Sequence, residues 1–262
     1  MPIYFDLGAT FLYALTGALS AMRRHYDIVG LFVLALVTGV GGGLIRDGLF
    51  IQNGPPLAIK DERYLFVILG GCIAAALFGR KIDRLQKVFL LADALGLGAY
   101  AVVGVARALT VGLSVVAAIM IGVINASGGG LLRDVLVREE PLMLKPGQLY
   151  VLAALLGSCI FAILLIRFDE PIEKAALIAT GCTFVFRLLA IYLNLKTVSV
   201  GERLIPFVRG SREGVVTAIK VSGTTDAAPT GTMTSLPAAT EKLPPAEPTS
   251  SIPDGDGPTK TT

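Results

Sequence analysis

The sequence predicts an all-α polytopic membrane protein in which seven transmembrane helices form two inverted three-helix repeats plus a seventh helix. Composition is the first observation behind this fold class: 53% of the 262 residues are hydrophobic, only 16% are charged, and the mean hydropathy is +0.71. A typical soluble domain carries about 25% charged residues, so a water-soluble globular protein is excluded. The other two observations are the spacing of the apolar residues and a repeat within the chain.

The apolar residues fall into seven blocks, each near the roughly 20 residues that a helix needs to cross hydrocarbon. The blocks are residues 4–21, 28–51, 64–79, 88–106, 111–137, 149–166 and 175–195. No basic segment precedes the first block and no small-residue cleavage site closes it, so we expect it to remain as a span.

An internal repeat relates residues 4–83 to residues 91–170 at a constant offset of 87 positions. The offset places Asp6 on Asp93 and Tyr13 on Tyr100, and it aligns Gly-Gly-Gly-Leu-Ile-Arg-Asp at 41–47 with Gly-Gly-Gly-Leu-Leu-Arg-Asp at 128–134. Because each copy contains three spans, an odd number, the second copy enters the bilayer from the opposite side. Inverted repeats are a recurring plan for transporters and related permeation proteins, with the pathway between the copies.

The repeat and the composition divide the chain into four segments: a first three-helix repeat (1–87), a second, inverted repeat (88–174), a seventh helix (175–196) and a cytoplasmic tail (197–262). The seventh helix has no repeat partner, so we expect it to pack outside the repeats or at a subunit contact. The tail is expected to be largely disordered, because Pro, Thr, Ser, Ala and Gly dominate it. Lys and Arg are more frequent in the short loops on the side of the tail, which predicts a cytoplasmic C-terminus and an outer N-terminus.

Three consecutive glycines inside an apolar helix are costly, because each is about 1 kcal/mol less favourable there than alanine. In one interpretation the triplets break their helices and expose carbonyls to a polar cavity; in the other they let helices pack closely. The broken helix is favoured, because the triplet occurs twice and Arg-Asp follows both copies after two residues. The triplets are Gly41, Gly42 and Gly43, and Gly128, Gly129 and Gly130.

Charged residues at the ends of spans should be paired or hydrated, because a charge in hydrocarbon costs at least about 2.5 kcal/mol. Two carboxylates beside one guanidinium leave a net charge of −1, which favours a cation at each mouth of a path between two such groups. Ion pairs that only fix the helices are the alternative. The topology places Asp6, Arg46 and Asp47 together on the outer side, and Asp93, Arg133 and Asp134 together near the cytoplasmic side.

Neutral and isolated polar residues complete the candidate site. Asn125 and Ser127 supply oxygens that could coordinate a dehydrated cation or cap a broken helix. Arg187, inside the last span, is expected to extend toward the cytoplasm, with a lipid or subunit contact as the alternative. The sequence contains no arrangement typical of a catalytic triad, a metal site or a cofactor site, so we predict no enzyme, no metal and no cofactor.

The doubled Gly-Gly-Gly-x-x-Arg-Asp motif in a three-plus-three-plus-one layout resembles the prokaryotic branch of the trimeric intracellular cation channel family, over residues 4 to about 195. The resemblance implies a homotrimer in which each protomer has its own pore, lined by the broken second and fifth spans, for monovalent cations, chiefly potassium. The same domain is also described as a glycine transporter domain. Animal members have Lys-Glu-Val in the second span where this chain has Leu-Ile-Arg-Asp at 44–47, so their control by voltage, calcium or lipid is not implied.

The favoured function is therefore a passive potassium-permeable channel of the cell membrane, in contact with lipids and not with nucleic acid. Cations would pass the outer charged group, cross near the glycine breaks and leave past the inner group. A secondary transporter of a small amino acid such as glycine is the alternative, because channels and transporters share this architecture. A third class, a structural membrane protein whose glycines only pack, predicts no flux.

Overall fold

The computed structural model describes residues 3–78, 82–145, 149–193 and 195. The predicted tail, residues 197–262, lies outside the described residues. Every element of the described part is helical: α1 (Ile3–Arg23), α2 (Ile28–Ile45), a π-helix (Arg46–Ile51), α3 (Leu57–Lys60), α4 (Arg63–Phe78), α5 (Ile82–Thr110), α6 (Val115–Leu136), α7 (Tyr150–Arg167) and α8 (Ile172–Tyr192).

Six helices of the described residues are long and apolar enough to cross a membrane, and they lie at six of the seven predicted blocks. The third block corresponds to α4, an apolar helix of 16 residues. At 1.5 Å per residue this helix is about 24 Å long, less than the hydrocarbon core of about 30 Å. A multi-pass membrane protein is therefore confirmed, and the seventh span remains a prediction. The six are Ile3–Arg23, Ile28–Ile51, Gln86–Thr110, Val115–Leu136, Tyr150–Arg167 and Ile172–Tyr192.

Side chains cap the starts of α2 and α6. Asp27 accepts a hydrogen bond from the backbone N–H of Gly30 at the start of α2, and Ser114 does the same for Ala117 at the start of α6. These caps satisfy backbone donors that have no partner inside the helix. Before α4, the side chain and backbone N–H of Arg63 donate to Asp61, and these bonds hold the pKa of Asp61 below its ordinary range.

The two halves of the described chain pack in the same pattern. In the first half α1 contacts α2 and α4, and in the second half α5 contacts α6 and α7. Contacts of α1 with α5 and of α2 with α6 join the halves, while α8 packs against α5 and α7. Buried alanines line α1, and small side chains allow helices in a membrane to approach closely. In the described part of the chain, α8 thus packs against helices of the second half.

The predicted helix breaks at the glycine triplets are wrong. The helix α2 continues through Gly41, Gly42 and Gly43 to Ile45, and α6 continues through the second triplet to Leu136. The change of helix type comes after the first triplet, where Arg46–Ile51 forms the π-helix. An unbroken helix satisfies its own backbone hydrogen bonds, which is the simplest solution in an apolar environment.

The glycines instead permit the close contact between α2 and α6. A Cβ on Gly42 would collide with the backbone carbonyl oxygen of Asn125, and a Cβ on Gly129 would collide with that of Thr38. All six triplet glycines are buried. The packing interpretation of the triplets is therefore the correct one, and the cost of glycine in the helices is offset by the contacts that this approach allows.

Candidate functional site

The first charged cluster joins the start of α1 to the π-helix. Arg46 is paired with Asp47, with Nε 2.6 Å from Oδ1 and Nη2 3.0 Å from Oδ2. The same Nη2 lies 3.6 Å from Oδ2 of Asp6. All three side chains are buried, and Arg46 is only 1% exposed. The structure thus brings together the three residues that the sequence placed in the outer group.

Two further donors complete the first cluster. The hydroxyl of Tyr64, on α4, donates to Oδ2 of Asp6 at 2.9 Å. The backbone N–H of Leu57, at the start of α3, donates to Oδ2 of Asp47 at 3.2 Å. The loop and α4 therefore hold both carboxylates in place. Sequence analysis missed Tyr64, because nothing in its neighbourhood along the chain distinguishes it from an ordinary residue at a helix end.

The second cluster has the same composition on α5 and α6. Arg133 lies between two carboxylates, with Nη1 3.0 Å from Oδ1 of Asp93 and Nε 2.9 Å from Oδ1 of Asp134. Nη1 also donates to the hydroxyl of Thr16 on α1, at 3.1 Å. Arg133 is 1% exposed, and both aspartates are buried. The structure therefore brings the predicted inner group together as well.

The surroundings of the second cluster match those of the first. The Tyr150 hydroxyl lies 3.5 Å from Oδ1 of Asp93, as the Tyr64 hydroxyl lies against Asp6. The backbone N–H of Leu142 donates to Oδ2 of Asp134 at 2.9 Å. Each cluster thus consists of one arginine, two aspartates, one tyrosine and one backbone donor from the following loop.

The helix α1 fixes the distance between the clusters. Asp6 belongs to the first cluster, and Thr16 is bonded to Arg133 of the second. Ten residues of α-helix separate them, which is about 15 Å along the helix axis. The space between the clusters is therefore spanned by the middle of α1, and Tyr13 lies on that stretch.

Two buried tyrosines lie side by side between the clusters, one on α1 and one on α5. Tyr13 donates a hydrogen bond to the backbone carbonyl of Ala126, and Tyr100 donates to that of Gly39. Each of these carbonyls lies two residues before a glycine triplet. The Tyr100 hydroxyl is also within 2.8 Å of the Thr10 hydroxyl. The hydroxyls thus bind backbone of the opposite half, a contact that the sequence did not predict.

Asn125 and Ser127 lie beside this tyrosine pair. The Asn125 amide donates to the backbone carbonyl of Tyr100 at 2.7 Å, and its Oδ1 is buried without a hydrogen-bond partner in the described part of the chain. The Ser127 hydroxyl donates to the backbone carbonyl of Val123 at 2.8 Å. With α6 intact, neither residue caps a broken helix. Asn125 Oδ1 is an oxygen that remains available to accept a hydrogen bond or contact a cation.

Arg187 is inside the protomer. It is 1% exposed, and its guanidinium carbon lies 4.9 Å from the centroid of the Tyr150 ring. A cation over an aromatic face is attracted by the ring quadrupole. A contact with lipid or a neighbouring subunit, one of the two alternatives from the sequence, is therefore wrong.

Comparison with known proteins gives consistent results. The sequence profile of the family described as "Glycine transporter" matches residues 3–80 and 90–165, more than half of the chain. The UPF0126 inner membrane protein YadS of Escherichia coli is 35% identical over 198 residues, which cover 75% of this chain and 95% of that protein. The UPF0126 membrane protein of Vibrio cholerae is 38% identical over 195 residues, which cover 73% and 80%.

Solved channel structures resemble the described fold. The trimeric intracellular cation channel orthologue from Rhodobacter sphaeroides has 36% sequence identity and a TM-score of 0.67, and the match covers 72% of this chain and 97% of that chain. A prokaryotic channel of the same type, crystallised in 0.5 M KCl, has 28% identity and a TM-score of 0.67, with 73% and 95% covered. These relatives are membrane proteins and channels.

Proposed function

The chain belongs to the trimeric intracellular cation channel family, and we propose that it is a channel for monovalent cations, chiefly potassium, with a conduction path in each protomer. The observation that carries this proposal is the presence of two buried Asp-Arg-Asp clusters, one in each half, about 15 Å apart along α1. The path runs between the clusters, at the interface of the two halves.

The charge of the clusters favours cations. Each cluster contains two carboxylates and one guanidinium, so its net charge is −1 when all three groups are ionised. Burying such a charge in a membrane protein is costly, and intramembrane carboxylates mark ion pathways more often than structural sites. A fixed negative potential at each end of a path raises the local concentration of cations there.

In this proposal, the path is closed in the conformation described here. Tyr13 and Tyr100 lie in contact between the clusters and donate to the carbonyls of Ala126 and Gly39. Opening requires both hydroxyls to leave these carbonyls. The released carbonyls and Asn125 Oδ1 then provide oxygens that replace part of the hydration shell of a potassium ion.

The glycine triplets have a supporting role in this scheme. They hold α2 and α6 in contact, and they place the carbonyls of Gly39 and Ala126 within reach of the tyrosines. Conduction therefore does not depend on helix breaks, in contrast to the route that the sequence suggested.

The two halves are related as inverted repeats in this proposal, with α4 as the third and α7 as the sixth of seven spans. Paired contacts at the offset of 87 support the relation: Tyr13 binds Ala126 while Tyr100 binds Gly39. The excess of Lys and Arg in loops on one side favours an outer N-terminus and a cytoplasmic C-terminus.

The channel assembles as a homotrimer in the cell membrane. The relative from Rhodobacter sphaeroides is described as trimeric, and YadS as an inner membrane protein. Large apolar side chains that are exposed on a single protomer, such as Leu77, Val116 and Leu177, would contact lipids or neighbouring subunits.

Single-channel recording of the purified protein in a planar bilayer under a KCl gradient tests the proposal. Discrete unitary currents that reverse near the potassium equilibrium potential are expected. Asp47→Asn and Asp134→Asn should weaken the preference for cations over chloride, whereas Asp61→Asn, at a partly buried carboxylate between α3 and α4, should not. A silent bilayer with folded, inserted protein would contradict a channel.

A glycine carrier is the second candidate, because the matching family profile carries that description. In a carrier, Asp6 or Asp93 would bind the ammonium group of the amino acid, and the gates on the two sides would open in turn. Uptake of labelled glycine into liposomes, together with the absence of unitary currents, would favour the carrier over the channel.

A further inference from the structure

The hydroxyl of Tyr150, at the start of α7, contacts both the second cluster and the tyrosine pair. Its oxygen lies 3.5 Å from Oδ1 of Asp93 and 3.1 Å from the hydroxyl oxygen of Tyr13. The side chain is 3% exposed. A Cβ on Gly130 would lie 3.1 Å from the same hydroxyl, so this glycine leaves room for it. Tyr150 therefore connects a carboxylate of the second cluster to a tyrosine that holds the two halves together.

One hydrogen serves both contacts of Tyr150. A tyrosine hydroxyl carries a single donor hydrogen, and the hydrogen of Tyr13 is donated to the backbone carbonyl of Ala126. The bond between the two hydroxyls therefore uses the hydrogen of Tyr150, and the contact with Asp93 uses the same hydrogen. The Asp93 carboxylate and the Tyr13 oxygen thus compete as acceptors.

The first half lacks this competition in the described part of the chain. The hydroxyl of Tyr64 is bonded to Asp6, and the hydroxyl of Tyr100 is bonded to a carbonyl of α2 and a hydroxyl of α1. No hydrogen bond joins Tyr64 to Tyr100 there. The sequence accounts for the difference, since Tyr150 lies 86 positions after Tyr64 whereas the repeat offset is 87. One residue turns a side chain by about 100° around a helix axis and moves it by about 1.5 Å, so the two hydroxyls reach different neighbours.

We propose that Tyr150 couples the second cluster to Tyr13, so that a cation bound at this cluster stabilises the closed path. The proposal rests on the proposed channel function. A cation beside Asp93 neutralises the carboxylate and makes it a weaker acceptor, because a hydrogen bond to an ionised group is about twice as strong as one between neutral groups. The hydrogen of Tyr150 then turns to the Tyr13 oxygen. A hydroxyl that accepts a hydrogen bond becomes a better donor, so the bond from Tyr13 to Ala126 strengthens.

The test is the open probability of single channels at fixed voltage while potassium is varied on one side of a planar bilayer. Choline chloride replaces potassium chloride, so that the ionic strength and the screening of charges stay constant. In wild-type protein, a rise in potassium on the side of the second cluster should lower the open probability by about two- to tenfold, the change that one neutral hydrogen bond makes to an equilibrium. The same rise on the other side should not lower it.

Tyr150→Phe removes the shared hydrogen and should abolish the dependence on potassium. Tyr64→Phe is the matched control, because it removes a tyrosine hydroxyl from the other cluster; whatever its basal open probability, it should keep the dependence. If Tyr150→Phe does not fold, Gly130→Ala, whose Cβ would press on the hydroxyl, should weaken the dependence. A dependence that persists in Tyr150→Phe, or an equal response of wild-type protein to potassium on the two sides, would overturn the coupling.

A measurement without currents separates this inference from the channel itself. Residues in one hydrogen-bond network have non-additive effects on the free energy of unfolding. Asp93→Asn and Tyr13→Phe should therefore be non-additive when Tyr150 is present and additive in the Tyr150→Phe background. Absence of wild-type currents would contradict the channel, while the unfolding measurements would still decide the coupling. Wild-type currents without a potassium dependence, together with additive effects on unfolding, would overturn the coupling alone.

Discussion

The rings of Tyr13 and Tyr100 lie 5.0 Å apart, tilted by 59°, and each hydroxyl donates a hydrogen bond to a backbone carbonyl of the opposite half. The acceptors are Ala126 for Tyr13 and Gly39 for Tyr100, so the repeat offset of 87 converts one contact into the other. The tyrosine pair therefore joins the two halves of the described chain between the charged clusters.

Removing either tyrosine hydroxyl should loosen the closed state. Tyr13→Phe and Tyr100→Phe keep the ring and lose a bond whose net contribution is about 0.5–1.5 kcal/mol. We expect a small fall in thermal stability and a higher open probability, because the open path has already lost this bond. Single-channel recording measures the open probability. Tyr192→Phe, at an exposed tyrosine on α8, is the control. If Tyr13→Phe or Tyr100→Phe lowered stability and left the open probability unchanged, the tyrosine pair would only pack the two halves together.

Alanine at the central glycine of either triplet should destabilise the protein. Gly42→Ala and Gly129→Ala place a Cβ against a backbone carbonyl oxygen, which cannot move as a side chain can. Overpacking of this kind typically costs about 1–3 kcal/mol. Thermal unfolding in detergent should therefore occur at lower temperature.

Gly43→Ala is the matched control for these variants. A Cβ on Gly43 would lie 3.7 Å from Arg46 Nη2, an ordinary contact, and alanine is the better helix former. The unfolding temperature of this variant should be unchanged or higher. If all three alanine variants unfolded alike, the close approach of α2 and α6 would not be the reason for the triplets.

The sequence was sufficient for the helices and for the composition of the charged clusters. Apolar blocks of membrane-spanning length predict where the helices lie. Because successive spans alternate in direction, Asp6 and Arg46 are expected on the same side of the membrane. The contacts of Tyr13 and Tyr100 could not be predicted, because they depend on how the halves dock. Tyr64 and Tyr150 were also missed: they are 86 positions apart, so the repeat offset does not align them.

The glycine triplets show a different limit of sequence analysis. A run of glycines indicates either an unusual backbone conformation or the close approach of a neighbouring helix, and the pattern alone does not distinguish the two. The neighbours decide it: the carbonyls of Asn125 and Thr38 lie where the Cβ atoms of Gly42 and Gly129 would be. Those neighbours are 83 and 91 residues away along the chain, beyond the reach of any local pattern.

Loss of the cluster arginines should be severely destabilising. Arg46→Met leaves Asp6 and Asp47 buried beside each other without their cation, and removal of one partner from a buried ion pair costs about 3–5 kcal/mol. Arg63→Met breaks the pair with Asp61, in which the Arg63 side chain is exposed, and ion pairs at the surface contribute about 0–1 kcal/mol. The free energy of unfolding should fall much more for Arg46→Met than for Arg63→Met. A similar fall for both variants would mean that water hydrates the first cluster.

The last prediction concerns the amide of Asn125. Its buried Oδ1 has no hydrogen-bond partner in the described part of the chain, although a buried unsatisfied polar atom costs about 1–3 kcal/mol. The proposed contact of this oxygen with an ion in the open path would offset that cost. Asn125→Thr introduces the residue that stands at the equivalent position of the first half, where the Thr38 hydroxyl donates to the carbonyl of Leu34.

A threonine hydroxyl bonded in this way would no longer contact an ion. We therefore expect Asn125→Thr to fold and to lower unitary potassium conductance without changing the charge of either cluster. Asn125→Asp, which retains an oxygen and adds a negative charge, should increase the preference for cations over chloride. Ser127→Ala is the control, since that hydroxyl is bonded to Val123. Wild-type conductance in Asn125→Thr would place the amide outside the path and leave only its bond to Tyr100 as the reason for asparagine here.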